Sequence, residues 1–561
     1  QRHVFLNDSN FMSLNRVAYS PDGRWLAVGS NAGVASIFEV DFEEEPTVVD
    51  APGACLALAF SPDSKTLALA GTTGEVSLVD VVTGRQRARQ AGQVGSILDL
   101  VYSRNGQAIF TAGLDGTTRI WSGSDARPLG TLLATGGADW VLATPQGSFD
   151  GSPEGQRVLE WRVGDTIYAL DQFFNQYFTP GLLTSLVGSG QEVAAPEPPR
   201  EVKSPPRVTI LSPGPGDRFQ SEAEVKLEVE EKGGGLDGPY LFVNGHRLPD
   251  SLRTTSGPGQ FSFRVPLTKG HNVLKATAFN ADRTVESRGA RVTVESDAEV
   301  SRQPALHILA VGIDHYQSGL KLGYARDDAS AIAGAFKSDL FSDVRVQLLL
   351  DDKASGQGIQ AAFAQLEKEA LPHDTVIVYL AGHGTMVGDV YYFLPYDAGY
   401  ESTEQLRQTG LSSTELAEHL TRVPATKQLV VLDTCRSGAA APVLGKFLAA
   451  RDGLSLIKAQ QRLARASGTF LLAASTAEQY AKEVPELGHG VLTYALLEGL
   501  GQKSAPRAHL SDDGSVSVNA LLQYVAGQVP DLTSQYHGEM QNVVQYSTGQ
   551  DFPLKLELKT R

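Results

Sequence analysis

The 561-residue chain predicts three architectures in succession: an all-β partial propeller of about three blades, a β-sandwich, and an α/β domain with a mainly parallel sheet covered by helices. Three observations carry this. A short-strand motif recurs near the start, with equivalent turn serines at Ser20, Ser61 and Ser103 and equivalent glycines at Gly33, Gly74 and Gly116. From residue 207 to about 295, short alternating strands are punctuated by Gly, Pro and Asn-Gly. Beyond residue 303, near-continuous Val/Ile/Leu runs alternate with helical segments, the pattern of strands buried on both faces. At about 150 residues per domain, the length itself asks for three or four domains.

Within residues 1–136, "VAYSPDGRWLAVGSNAGVASIFEV" returns as "LALAFSPDSKTLALAGTTGEVSLVD" and "ILDLVYSRNGQAIFTAGLDGTTRIW". Each copy reads as alternating strands broken by Pro-Asp-Gly-type and Asp-Gly-type turns. The spacing of about 41 residues and the turn chemistry resemble WD-repeat propeller blades, with Asp115-Gly116 and Ile120-Trp121 closest to that signature. A closed ring takes four to eight blades. Upstream blades are therefore expected before a pattern already running at residue 4. Such a propeller implies a protein partner on its surface.

Residues 137–188 read as paired strands followed by a helix whose Phe173, Phe174, Tyr177 and Phe178 are core-forming, an expected cap on the blades. Residues 189–206 are a Pro-rich, semi-rigid linker. Residues 207–297 resemble an immunoglobulin-like sandwich, without the Cys…Trp…Cys pattern of antibody domains and without a catalytic constellation. The expected role there is spacer or support.

Composition narrows the function classes. Hydrophobic residues at 42% and charged residues at 20% fit a globular chain rather than a disordered one. A net charge of −16 lacks the basic footprint of a nucleic-acid binder. No apolar run approaches the roughly 18 residues of a membrane span. The two cysteines, Cys55 and Cys435, make no disulfide framework, and no Cys/His cluster has metal-ligand spacing. No metal and no cofactor are expected. A reducing, cytoplasmic setting is expected, with processing or truncation ahead of Gln1.

The domain spanning 303–561 carries the chemistry. "ALHILAVGI", "VRVQLLL", "DTVIVYLAG", "KQLVVLD" and "GTFLLAAS" are its strands. Helices are predicted over Asp327–Phe336 and from about Gly356 to Glu369, and Ser412 with Glu415 reads as a capping box. One strand ends in Gly382-His383-Gly384 and another in Asp433-Thr434-Cys435-Arg436-Ser437-Gly438. Ligands of parallel α/β sheets sit beyond the carboxyl ends of the strands. Adjacent strands would bring imidazole and thiol to one edge, where His383 could activate the Cys435 thiolate and later protonate a leaving amine. The flanking glycines would let a substrate backbone approach.

These two strand ends, 52 residues apart, resemble the caspase-like cysteine peptidases, on the metacaspase and bacterial orthocaspase side. Animal caspases have Gln-Ala-Cys where this chain has Asp-Thr-Cys. The resemblance runs from about Leu306 to the end, through "LGYARDDASAI", "LLAASTAEQYAKE", "GHGVLTYALLEGL" and "GQDFPL". It implies Cys435 as nucleophile, His383 as general base, and the backbone N–H groups of Gly384 and Cys435 as oxyanion donors. It implies Asp433 and Asp328 in the pocket for the side chain preceding the scissile bond, with Asp327 leaving the register of the second open by one. Two carboxylates there would select Arg or Lys and repel Asp. It also implies autoprocessing between residues 440 and 468, with Lys446, Arg451, Lys458, Arg462 and Arg465 as candidates, unless residues 455–466 form an amphipathic helix with a solvated basic face. Some metacaspases need calcium, which no EF-hand loop here supports. His489, ahead of a helix, reads as structural, and His315 as a surface residue. The alternative to an endopeptidase acting on protein or peptide substrates is a catalytically silent caspase-fold scaffold whose propeller binds partners.

Overall fold

The computed structural model describes residues 13–41, 45–136, 139–191, 202–299, 302–336, 340–436, 453–475, 483–484, 486–502, 508, 514–537, 541–547 and 549–556. Two compact units are formed, Gln1–Val202 and Lys203–Arg561.

In the first unit, each sequence repeat folds into one antiparallel four-stranded sheet. The third sheet is extended by Asp139–Ala143 and Phe149–Gly151. Neighbouring sheets bury small and branched side chains between them: Ala35 and Ile37 pack with Leu67 and Leu69, and Ala68 and Leu78 with Ile109 and Trp121. The repeated serines have a shared physical cause. Ser20, Ser61 and Ser103 each accept the N–H five residues on, at 2.9, 3.0 and 2.9 Å. Each also donates to the side chain two residues on, Asp22, Asp63 or Asn105. This closes the turn between the first two strands of every blade. Gly33, Gly74 and Gly116 all adopt left-handed φ, near +79°, +73° and +78°, which is why glycine recurs there. In the third blade Trp121 Nε1 donates to Thr111 Oγ1 (2.8 Å), and Thr111 donates to Gln93 Oε1 (2.7 Å). Gln93 Nε2 in turn donates to Asp115 (3.0 Å), tying its strands to the Asp-Gly turn.

The segment after the blades closes over the third sheet. Helix Leu182–Ser189 buries Leu182 and Leu186 on Ala108, Ile120, Leu129 and Leu142. Phe174 stacks on Phe178 with centroids 4.3 Å apart, and Phe173 packs on Trp161, so the aromatics are core.

The second unit begins with two sheets sharing one core. One has the order Arg207–Ser212, Glu222–Glu230, Gln260–Pro266, Arg253–Gly257. The other runs Arg218–Phe219, Ala290–Ser296, Gly270–Phe279, Asp237–Val243, His246–Arg247. Strict alternation along Glu222–Glu230 sends Ala223, Val225, Leu227 and Val229 inward to meet Leu241, Leu274 and Val294.

The α/β domain follows. Its strands are β1 (Leu306–Gly312), β2 (Val344–Leu350), β3 (Thr375–Val387), β4 (Val390–Phe393), β5 (Leu411–Ser412), β6 (Lys427–Arg436), β7 (Phe470–Ser475) and β8 (Asn542–Tyr546). The sheet order is β2-β1-β3-β6-β7-β8, parallel except for β8, and β4 returns antiparallel along the end of β3. Helices α1 (Ala325–Ala335), α2 (Gly356–Glu369), α3 (Ser413–Arg422), α4 (Gly453–Ser467), α5 (Val491–Gly499) and α6 (Val518–His537) cover it. Phe363, Leu420 and Leu463 from α2, α3 and α4 pack on one face; Ile332, Leu496 and Val525 from α1, α5 and α6 pack on the other. The expected mainly parallel, doubly covered sheet is what forms.

Local signals predicted the helix starts unevenly. The capping box forms as expected, with Ser412 Oγ accepting the Glu415 N–H (3.1 Å) and Glu415 accepting the Ser412 N–H (2.9 Å). Helix α1 instead begins at Ala325, because the Asp314 carboxylate, outside the helix, accepts the Ala325 N–H at 2.8 Å.

Within the 440–468 segment, Gly453–Ser467 forms helix α4, the alternative to a cleavable connection. Lys458, Arg462 and Arg465 lie inside α4, half-buried rather than on a solvated face. Burial, with Arg462 beside it, pushes the Lys458 ammonium down to about 8. Arg465 Nη2 pairs with the buried Glu286 of the sandwich at 2.6 Å. These three are therefore removed as autoprocessing candidates, since a peptidase cleft takes an extended, accessible segment and not a packed helix. Lys446 and Arg451 lie outside the described residues. The sandwich is also more than a spacer: a Cβ at Gly468, just after α4, would come 1.8 Å from the Gly245 carbonyl oxygen, so only glycine lets the two backbones meet.

At the opposite end of the sheet from the strand ends that carry the motifs, Asp374 anchors the entry to the domain. Its fully buried carboxylate accepts from Arg302 at 2.9 and 2.6 Å and from the Ala305 and Leu371 N–H groups at 2.8 and 2.9 Å. His307 Nε2 lies 3.2 Å away. Although burial opposes ionisation, His307 and Arg302 hold this carboxyl well below the usual carboxylate range.

Candidate active site

The two motif-bearing strands are neighbours. β3 and β6 run parallel in the register Thr375↔Lys427 through Gly384↔Arg436, which pairs His383 directly with Cys435. Parallel neighbours are about 4.8 Å apart. The two residues therefore stand side by side at the carboxyl end of the sheet.

His383 is 2% exposed and its peptide is held from both sides. Its N–H donates to the Tyr316 hydroxyl at 2.7 Å, and its carbonyl accepts the Leu394 N–H at 2.9 Å. The Tyr316 ring lies against the imidazole, with centroids 5.1 Å apart. Tyr316 sits in the loop after β1. Asp351 braces that loop, accepting the Asp314 and His315 N–H groups at 2.9 and 3.1 Å.

The flanking glycines have an internal cause. A Cβ on Gly382 would come 2.6 Å from the Tyr316 hydroxyl and 3.1 Å from the Phe393 ring. One on Gly384 would meet the Tyr391 hydroxyl at 2.6 Å, and Tyr391 itself donates to Thr434 Oγ1 at 3.1 Å. The absent side chains make room for the protein's own tyrosines, which set the backbone on either side of His383.

The carboxylates also converge. Asp433 is 7% exposed and accepts from Tyr379 (3.0 Å) and Thr493 (2.8 Å) through one oxygen, Oδ2. Asp328, on α1, is 3% exposed and accepts the Gly490 N–H at 3.1 Å, while Asp327 beside it faces solvent; the helix phase thus chooses 328 over 327. A Cβ on Gly490 would lie 3.0 Å from Asp328 Oδ2 and 3.5 Å from Asp433 Oδ2, so the two carboxylates flank one point. Burial and the Asp433 charge push the Asp328 carboxyl up to about 7, against the opposing bond from His489.

Four residues of this constellation escaped sequence reasoning: Tyr316, Tyr379, Thr493 and His489. His489, read as structural, has its Nδ1 2.8 Å from Asp328 Oδ1. The only available signal was that "GHGV" repeats the Gly-His-Gly string. His315 is exposed and its Nδ1 lies 3.6 Å from Asp351. Cys55 is a buried thiol of the blade core, pushed up to about 12 by burial, and is chemically inert there. Among the described residues, no three His, Cys, Asp or Glu side chains are grouped as metal ligands would be, and no helix is long and apolar enough to cross a membrane.

Two family profiles match this chain: "Caspase domain" over residues 306–551, and "WD domain, G-beta repeat" over residues 5–39 and 85–122. The second four-stranded sheet, Cys55–Ala91, lies largely between the two WD matches and repeats their architecture. Among curated proteins, the Telomerase protein component 1 of Rattus norvegicus is 30% identical over 156 residues, which is 28% of this chain and 6% of that protein. The Mus musculus protein of the same name is 35% identical over 121 residues, 21% of this chain and 5% of that protein. The chain thus spans only a small fraction of the curated relatives it matches.

Proposed function

We propose that this chain, which carries a caspase domain at its C-terminal end and WD repeats at its N-terminal end, is a cysteine endopeptidase that cleaves after Arg or Lys. The observation that carries the reading is the β3–β6 register, which sets His383 beside Cys435 with Asp433 two residues before the nucleophile and Asp328 facing Asp433 around Gly490. In the reaction, His383 takes the thiol proton, and the Cys435 sulfur forms a bond to the scissile carbonyl carbon. The carbonyl oxygen gains negative charge opposite the backbone N–H groups of Gly384 and Cys435. Collapse expels the amine, which takes its proton from His383. Water, deprotonated by His383, then releases the acid and restores the thiol. Asp328 and Asp433 supply the charge that binds a guanidinium or ammonium before the scissile bond.

The WD blades serve as a protein-binding module, and the strand order of the sandwich supports an immunoglobulin-like reading. Processing at Lys446 or Arg451 would separate the Cys435 strand from α4. Fluorogenic peptides ending in Arg, Lys or Asp provide the test, run beside the Cys435→Ala protein. Cleavage of the Arg and Lys peptides, lost in the variant, is expected. Silence toward all three would leave the scaffold reading. Self-cleavage bands that appear equally in both proteins would end the autoprocessing idea.

A further inference from the structure

The acidic pair poses an electrostatic problem. Two carboxylates that are nearly dry and flank one glycine do not both stay ionised near neutral pH without compensation. Donors that reach them among the described residues include Tyr379 and Thr493 on Asp433, and the Gly490 N–H and His489 on Asp328. Of these donors, His489 is the one that can carry positive charge. It stands on the short hairpin Glu483–Val484/His489–Gly490, which leads directly into α5 and presents the imidazole to α1. Its side chain is 16% exposed. The titratable groups that act on Asp328 or answer to it include His489, Asp433 from β6 and Tyr379 from β3; burial and the two aspartates raise the Tyr379 phenol well above its ordinary range, so it stays neutral.

We propose that His489 is a positioning residue that keeps Asp328 ionised beside Asp433, and so sets the preference for a basic over a neutral side chain before the scissile bond. This rests on the peptidase reading above. The hydrogen bond and any imidazolium charge act in the same direction, opposing the burial of the Asp328 charge. Removing the imidazole makes Asp328 take up a proton at a higher pH, and the mean negative charge of the pocket at neutrality falls.

The test compares matched peptides ending in Arg or in its uncharged isostere citrulline. The ratio of their kcat/KM values is followed with pH in the wild type, His489→Ala and His489→Gln. The ratio cancels the titration of Cys435 and His383, which both peptides share. In the wild type it is expected to rise with pH around 7, where Asp328 ionises. In His489→Ala the midpoint moves up by about one pH unit, so the ratio at neutral pH falls about fivefold and recovers in alkali. His489→Gln, which keeps a donor without charge, falls between the two. An unchanged midpoint, or one displaced downward, overturns the proposal while leaving the peptidase reading intact. Cleavage of neither peptide by the wild type overturns that reading and this proposal with it. A second readout needs no turnover: calorimetric binding of the Arg peptide to Cys435→Ala and to Cys435→Ala/His489→Gln. Weaker binding in the double variant is expected, and equal affinity overturns the proposal.

Discussion

Replacing Asp374 by alanine is expected to destabilise the second unit by about 3–5 kcal/mol, the usual cost of breaking a buried ion pair by removing one partner. The magnitude follows from what the substitution strands. Arg302 loses both of its carboxylate contacts, and buried His307 loses its acidic neighbour. The Ala305 and Leu371 N–H groups lose their acceptor, each worth about 1 kcal/mol or more when left buried. At roughly 2 °C per kcal/mol for a unit of this size, the melting temperature falls by about 6–10 °C. Asp374→Asn, which keeps the shape and one acceptor oxygen, loses less. The pH dependence has a definite sign. Folding holds the Asp374 carboxyl below its ordinary value of 3.8, so the wild-type advantage is full above about pH 4 and is lost as the pH falls through the folded value. Thermal melts of wild type and both variants between about pH 3 and 7 measure this. A loss under about 1 kcal/mol at neutral pH, or an advantage that persists unchanged in acid, would refute the reasoning.

Two further outcomes follow from the same physics. Burial and Asp433 push the Asp328 carboxyl up from 3.8 to about 7, so ionising it costs the fold stability as pH rises across that interval. Asp328→Asn should melt a few degrees above the wild type at pH 8 and close to it near pH 4, while losing preference for Arg peptides. The Glu286–Arg465 pair, which joins sandwich to α4, should show a coupling energy of about 1–3 kcal/mol in a double-mutant cycle with Glu286→Gln and Arg465→Met measured by denaturant unfolding. A coupling near zero would mean that the sandwich supports α4 through backbone contact alone.

Much of the candidate site is legible along the chain because its signals are local. A strand that ends in Gly-His-Gly and one that ends in Asp-Thr-Cys-Arg-Ser-Gly announce themselves by a change of period and composition within a dozen residues. The blades do so by turn serines and left-handed glycines spaced about 41 residues apart. Helix α4 was less legible: its Leu456, Ala459 and Leu463 mark a buried face, but the same stretch offers three basic residues that read as cleavage sites.

By itself, the sequence determined the order of the three architectures and the two strand ends that carry imidazole and thiol; the acidic candidates came from the family resemblance that those strand ends carry. The tertiary structure alone decided which aspartate turns inward, because Asp327 and Asp328 differ only in helix phase against a sheet the local pattern cannot see. It alone set His489 against Asp328 and Thr493 against Asp433, pairs 161 and 60 residues apart. It alone joined Arg465 to Glu286, 179 residues away. Periodicity, caps and turns are encoded between near neighbours, where a few dihedral angles settle the outcome. Charge compensation and burial depend on which distant segments the packed core brings together.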